Sequence, residues 1–556
     1  MWRITQIFKK YYLHALVFGL ILFIQYPLIV SDPILSYDDQ VLVKPLFSGL
    51  YPWRFSYYQA IFHGGIWDVQ PVRDLSYSLD YFFNFYFNLK TFHLQNLLIW
   101  IGICYLFNRI LLVLQIRINL RISILILCLF YPIFWISVSW ISARKHLLSA
   151  FFILISTLKV IESKAKNENL SLANQWKIAL AYLASCFSQP INIFWPLFFI
   201  YSFKNELKKY KILIFSILGI GFITGLINLY YYSVIFPLFS PVPKFASSNT
   251  SYLSLKILGL SRSLFQTFIP FWATPTPYYQ GSPQNILGIF FLTFIIWIFI
   301  KTKDFFIRLF LIFSLLPLIV IFTQSTNIFG SDTYLIIPAI GFFIIISSFL
   351  NKKTFISNKF FFSIFLLYLG VCIFSCRLIS LSNLNVKALF YRAYQVEPTP
   401  FNLKTLLHET FKSKDYKNSK AYAIQLIQWD PYGIFNDNLF SSIIFSLPDI
   451  KDEEKIKIFE YTLTNHKDLS WTTYNLAAIY AKNGRFQKSY DLLSNLQIHD
   501  FYDFNDKLTE VMIDFLYFCR YSKNNCNLVL NKIETLKLNK NWDEKKFKIK
   551  IKELSI

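Results

Sequence analysis

Two adjacent carboxylates, Asp38 and Asp39 in SDPILSYDDQ, stand just beyond the first apolar segment of the chain. At a membrane mouth such a pair is costly unless it is paired, hydrated or used to move protons. The same loop, from Ser31 to His93, carries His63, Asp68, Arg73, Asp74 and Asp80, and Gly64 and Gly65 let it turn before IWDVQPVRDLSYSLDYFFN. Acids, a base and backbone freedom in one loop are the ingredients of a catalytic site. A second element, ISARKHLLS at 141–149, sets Arg144, Lys145 and His146 at the start of another apolar segment. Positive charge there needs an anion, and a phosphate head group is the obvious one. His63 with Asp38, Asp39 and Asp68 could gather a divalent cation, but no spacing specifies ligands, so no metal or other cofactor is expected.

The elements that must position these groups are membrane helices. The chain of 556 residues is 55% hydrophobic and only 16% charged, with a mean hydropathy of +0.42, 61 Phe and 35 Tyr. That excludes a soluble fold for the first 380 residues, which could not cover such a core with polar surface. Apolar runs able to span cover 12–30, 94–116, 122–140, 146–161, 211–236, 285–300, 306–323, 334–350 and 359–379. Ser188-Gln189-Pro190 interrupts a further run at 175–202, which reads as two short helices returning to the side they left. The expected fold class is all-α, a polytopic bundle of about nine to eleven helices over 1–385 followed by a polar helical domain over 386–556.

The net charge of +23 suggests nucleic acid at first sight. The basic residues instead cluster between apolar runs: Arg3/Lys9/Lys10, Arg109/Arg117/Arg121, Lys164/Lys166, Lys204/Lys208/Lys209/Lys211, Lys301/Lys303 and Lys352/Lys353/Lys359. With the 175–202 hairpin all six share one face, cytoplasmic by the positive-inside rule, and no nucleic-acid partner is expected. The 31–93 loop, the segment 236–283 and everything after Ser380 then lie on the opposite side. Of the seven cysteines, Cys104, Cys128, Cys186, Cys372 and Cys376 sit in apolar segments, and only Cys519 and Cys526 could pair outside the bilayer.

In the tail, WTTYNLAAIYAKNGRFQKSYDLLSNL at 471–496 puts Tyr474, Leu476, Ala477, Tyr480, Gly484 and Tyr490 where a tetratricopeptide helix pair has its packing residues and tight turn. AYAIQLIQWDPY, ending at Tyr432, reads as the second helix of an earlier unit, so two or more units are expected across 390–550. Their concave surface would hold a protein acceptor or another partner.

YDD after the first helix, PVRDLSYSLDY, FHLQNLLIW, ARKHLLS, LFQTFIPFW and TYLIIPAIGF occur in that order before the repeats. This series resembles the transmembrane and tetratricopeptide-repeat protein O-mannosyltransferases and, more broadly, the GT-C glycosyltransferases. The resemblance implies Asp38 and Asp39 at the catalytic centre on the lumenal or periplasmic side, and a polyprenyl-phosphate sugar as donor. One of the two carboxylates would act as general base on an acceptor hydroxyl, which attacks the anomeric carbon with inversion as lipid phosphate departs. Arg144, Lys145, His146 or Arg73 would stabilise the departing phosphate. His63, Asp68 and Asp74 are further candidates for this site. Two positions depart from the family pattern: Arg73-Asp74-Leu75 stands where Arg-Pro-Leu is usual, and Ser188-Gln189-Pro190 where Lys-Glu is usual. They motivate an alternative, an inactive scaffold using its repeats for assembly; a transporter of lipid-linked substrates is a second. The expected place is a bacterial inner membrane, or alternatively the endoplasmic reticulum.

Overall fold

The computed structural model describes residues 16–29, 54–56, 59, 69–89, 91–235, 252–272, 283–323, 332–351, 359–396, 400–429, 438–448, 450–465 and 470–494, and every regular element among them is a helix. The chain divides into two compact units, Met1–Glu397 and Pro398–Ile556. The boundary falls about one helix later than composition suggested, because Val386–Val396 packs on the helix before it.

In the first unit the helices are α1 (Leu16–Ile29), α2 (Pro71–Phe87), α3 (Phe92–Val113), α4 (Ile118–Leu129), α5 (Pro132–Ser139), α6 (Arg144–Lys166) and α7 (Leu172–Ser188). They are followed by α8 (Pro196–Ser202), α9 (Lys211–Ile235), α10 (Tyr252–Phe268), α11 (Pro283–Lys301), α12 (Phe305–Thr323), α13 (Ile336–Asn351), α14 (Lys359–Ser382) and α15 (Val386–Val396). Among the described residues five helical stretches are long and apolar enough to cross a membrane, and α4 with α5 makes a sixth if the pair is one bent span. Leu16–Ile29, Pro190–Ser202, Leu287–Lys301 and Phe305–Ile319 are apolar but shorter.

Proline sets the interruptions. Residues before proline avoid the helical region, and Tyr131 (φ −82, ψ 123) and Gln189 (φ −160, ψ 124) are both extended, ahead of Pro132 and Pro190. The run at 122–140, read from hydropathy as one straight span, is therefore bent by 46° between α4 and α5. The break leaves carbonyls without helical donors, and in an apolar interior these must find others. Trp135 Nε1 donates to Leu129 O at 2.7 Å and Cys376 Sγ to Phe130 O at 3.0 Å. Pro27 likewise deprives Phe23 O of its donor, and the Arg377 guanidinium of α14 supplies one.

Contacts along α6 show how the segment 172–206 runs. Gln189 O meets Ser149 Oγ near the start of α6 at 3.1 Å, Trp195 Nε1 meets Thr157 Oγ1 midway at 3.1 Å, and Glu206 meets Lys164 near its end at 2.6 Å. So α7 climbs beside α6 and residues 190–206 come back down it, the return expected from Ser188-Gln189-Pro190. The same end of the bundle collects the other basic segments. Arg109 lies 3.6 Å from Glu162, Arg117 Nη2 donates to Leu350 O at 3.0 Å, and Phe305, just after Lys301 and Lys303, stacks on Tyr201. Arg3, Lys9, Lys10, Lys352 and Lys353 lie outside the described residues.

Among the described residues the second unit has three helix pairs: α16 (Pro400–Lys412) with α17 (Tyr416–Trp429), α18 (Asn438–Ser446) with α19 (Asp452–Asn465), and α20 (Ser470–Lys482) with α21 (Phe486–Ser494). First helices of successive pairs pack on each other, and α19 packs on α20. Tyr474, Leu476, Ala477 and Tyr480 are buried, and Gly484 makes the turn at φ +75, a left-handed conformation that glycine adopts at least cost. The Tyr490 side chain and the Asp-Pro at 430–431 lie outside the described residues.

Candidate functional site

The bundle end opposite the basic clusters gathers the segments that carry candidate chemistry. Helix α2 starts on Pro71, whose fixed φ suits a first helical position, and ends on Asn88 in the left-handed region at φ 52. Between these ends it carries two stripes. Arg73, Tyr77 and Asp80, spaced i, i+4, i+7, are buried, whereas Leu75, Leu79, Phe82 and Tyr86 on the opposite face are exposed. The helix thus turns its charges into the protein and its aromatics outward.

The inward stripe is fixed to α6 and α3. Tyr77 Oη donates to Ile141 O at 2.9 Å, and Asp80 forms an ion pair with Arg144 in which both side chains are 0% exposed. Thr91 Oγ1 donates to the other Asp80 oxygen at 2.5 Å. The rest of the Arg144 fork is also engaged: Nε donates to Asn96 Oδ1 at 2.7 Å, Nη2 to Phe92 O at 2.7 Å, and Nη1 to Ser76 O and Gln95 Oε1 at 3.3 Å. Its plane lies 4.8 Å from the Tyr77 ring centroid. Asn96 Nδ2 then donates to the carbonyls of Ser137, Val138 and Trp140 at the end of α5. Burial pushes the Asp80 carboxyl above its ordinary value, while Arg144 and Thr91 pull it back.

A second polar knot joins α2 to the α7 break. Arg73 Nη2 lies 2.7 Å from Asp74 Oδ1, Arg73 Nη1 donates to Gln70 Oε1 at 3.1 Å, and Gln70 Nε2 donates to Gln189 Oε1 at 2.5 Å. Beneath it Asn192 Nδ2 donates to Ser149 Oγ at 3.0 Å and Ser185 Oγ at 2.9 Å, which holds the non-helical turn against α6 and α7. Gln189 is thus a buried partner of the α2 entry.

Of the residues singled out from sequence, Arg73, Asp74, Arg144, Lys145 and His146 come together at this end. Arg144 is engaged by Asp80 and four further acceptors, which ties α2 to α6 and α3. Lys145 is partly exposed. His146 is buried with its ring 4.4 Å from that of Tyr334, which brings ARKHLLS beside TYLIIPAIGF. His93 is also buried, and among the described residues neither of its ring nitrogens has a hydrogen-bond partner. Asp38, Asp39, His63 and Asp68 lie outside the described residues. Among the described residues no group of three or more His, Cys, Asp or Glu could hold a metal ion.

Sequence reasoning placed Asp80 in the loop without a role and did not single out Gln70 or Asn96. The signal for Asp80 was its i, i+7 spacing from Arg73 opposite a fully apolar stripe. Asn96 and Gln70 had no such signal, since their partners are 48 and 119 residues away. Comparison with protein-family models, curated proteins and solved structures finds no match.

Proposed function

We propose that the protein is a membrane glycosyltransferase of GT-C type that transfers a sugar, mannose-like, from a polyprenyl-phosphate carrier to a hydroxyl acceptor on the exoplasmic side. The observation that carries this reading is convergence. Segments separated by up to about 250 residues in sequence, namely PVRDLSYSLDY, the start of FHLQNLLIW, ARKHLLS, Gln189 and TYLIIPAIGF, meet at the bundle end opposite the basic clusters. That is where the positive-inside rule puts the exoplasmic face.

In this reading Asp38 or Asp39 accepts the hydroxyl proton, and Lys145, Arg73 and His146 surround the departing phosphate. Arg144 and Asp80 act as positioning residues. The bundle would comprise nine to eleven spanning helices, with the shorter apolar ones completing the spans. The three described helix pairs of the second unit would be tetratricopeptide repeats that present a protein or glycan acceptor. The site would face the periplasm, or the lumen of the endoplasmic reticulum.

The test uses the full chain in nanodiscs with a polyprenyl-phosphate mannose donor, measuring release of polyprenyl phosphate. Turnover that disappears in both Asp38→Asn and Asp39→Asn, or in one of them, is expected. Absence of turnover with mannose and other hexose donors, or turnover indifferent to both substitutions, overturns the proposal.

A further inference from the structure

Helix α2 presents an outward face that no described part of the protein covers. Leu75, Leu79, Phe82 and Tyr86 form its stripe, and Phe85 and Tyr86 are 67% and 66% exposed. Their rings are organised on the helix surface: Phe82 and Tyr86 centroids lie 4.7 Å apart, and Tyr81 stacks on Phe85 at 5.8 Å. In water this concentration of apolar surface on one helix would be strongly unfavourable.

Three observations choose the occupant. First, the charged residues of α2 are Arg73, Asp74 and Asp80, and all three are buried. The outward face therefore offers nothing to an acidic or basic protein partner. Second, the face continues into a lipid-facing one. The next helix, α3, starts at Phe92, and its exposed residues Leu94, Leu98, Ile101 and Tyr105 run down a span long and apolar enough to cross the bilayer. Third, α2 is about 25 Å long at 1.5 Å per residue, yet Gln70 just before it bonds to Gln189 and Thr91 just after it bonds to Asp80, the partner of Arg144, and both ties lie at the same end of the bundle. Its Arg73 and Asp80 contacts lie at that end as well. It therefore lies along that end of the bundle and does not run down its length. Phe and Tyr rings are what that boundary favours, with apolar bodies in the acyl region and hydroxyls at the head groups.

We propose that α2 lies in the head-group boundary of the leaflet opposite the basic clusters, its Leu75–Leu79–Phe82–Tyr86 face immersed in lipid. The Asp80–Arg144 pair sets this rotation, because it fixes the polar stripe inward. With no Lys or Arg on the immersed face, binding draws on apolar burial alone, so a zwitterionic bilayer suffices and salt has little effect. The inference stands independently of the proposed reaction.

The experiment places spin labels at Leu79→Cys, Phe82→Cys and Tyr86→Cys in the full chain carrying Cys519→Ser and Cys526→Ser, reconstituted in phosphatidylcholine nanodiscs. Relaxation by oxygen is compared with relaxation by a water-soluble nickel chelate. Oxygen is expected to dominate at all three sites, at depths shallower than a label at Leu98→Cys and unlike an aqueous label at Arg485→Cys. Nickel dominance overturns the proposal, and so does exclusion of both reagents or dipolar broadening, which would mean a protein cover or a second copy. A diazirine-bearing phosphatidylcholine gives the same test on the unsubstituted chain: adducts are expected within residues 75–87, and labelling of α3 without α2 overturns it.

Discussion

Replacing Asp80 with Asn preserves shape and removes the carboxylate that Arg144 meets. Both side chains are fully buried, so the guanidinium cannot turn to water. Removing one partner of a buried pair costs about 3–5 kcal/mol, chiefly as the penalty of leaving the other charge uncompensated. Asn96 Oδ1, Phe92 O, Ser76 O and Gln95 Oε1 remain on the Arg144 fork, which argues for the lower end, about 3 kcal/mol. That corresponds to roughly a hundredfold loss in the folding equilibrium. The protein carries its own reporters, since Cys104, Cys128, Cys186, Cys372 and Cys376 are free and buried. With Cys519 and Cys526 replaced by Ser, a thiol-reactive fluorogenic dye in detergent reports unfolding during a thermal ramp at fixed scan rate. Asp80→Asn should unfold at clearly lower temperature than the parent. Arg144→Met added to it should restore part of the loss, because the stranded charge is gone. Coincident curves for Asp80→Asn and parent, or a double variant whose loss is the sum of the singles, would refute the reasoning.

Two further substitutions separate packing from backbone effects. A Cβ on Gly221 would stand 2.7 Å from the Tyr182 hydroxyl and 2.9 Å from the Ile193 carbonyl oxygen, which are bonded to each other, so Gly221→Ala should lower the same thermal midpoint by a loss of about 1–3 kcal/mol. Gly219→Ala on the same helix meets nothing within 4 Å and should be neutral or slightly stabilising; equal effects at the two positions would contradict the close approach of α9 to the α7 break. Gly484→Ala also has open space, yet φ +75 should make it cost about 1–2 kcal/mol. Faster hydrogen exchange confined to 470–494 in the full chain would show it, and unchanged protection would count against the turn.

Much of the architecture was written in residue types. Apolar run length and the scarcity of charge required membrane helices, and α1, α3, α6, α9, α13 and α14 overlap the runs read from hydropathy. Ser188-Gln189-Pro190 announced its break because proline acts on its immediate neighbours through covalent geometry. Tyr131-Pro132 obeyed the same rule inside a longer run, where continuous hydrophobicity masked it. The gathering of the described basic segments at one end of the bundle was legible too, because such charges fall between apolar runs whichever helices touch.

The composition and order of the chain thus determined that it is helical, with several helices long and apolar enough to cross a membrane, basic segments gathered at one end, and polar helix pairs after them. Only the tertiary structure decided which charges pair. It spent the Arg144 fork on Asp80 across 64 residues, tied Gln70 to Gln189 across 119, and turned the aromatic face of α2 outward. The physical reason is range. Periodicity and proline act through neighbours along the chain, whereas the partner of a buried charge is set by which helices pack side by side, and no local spacing encodes that.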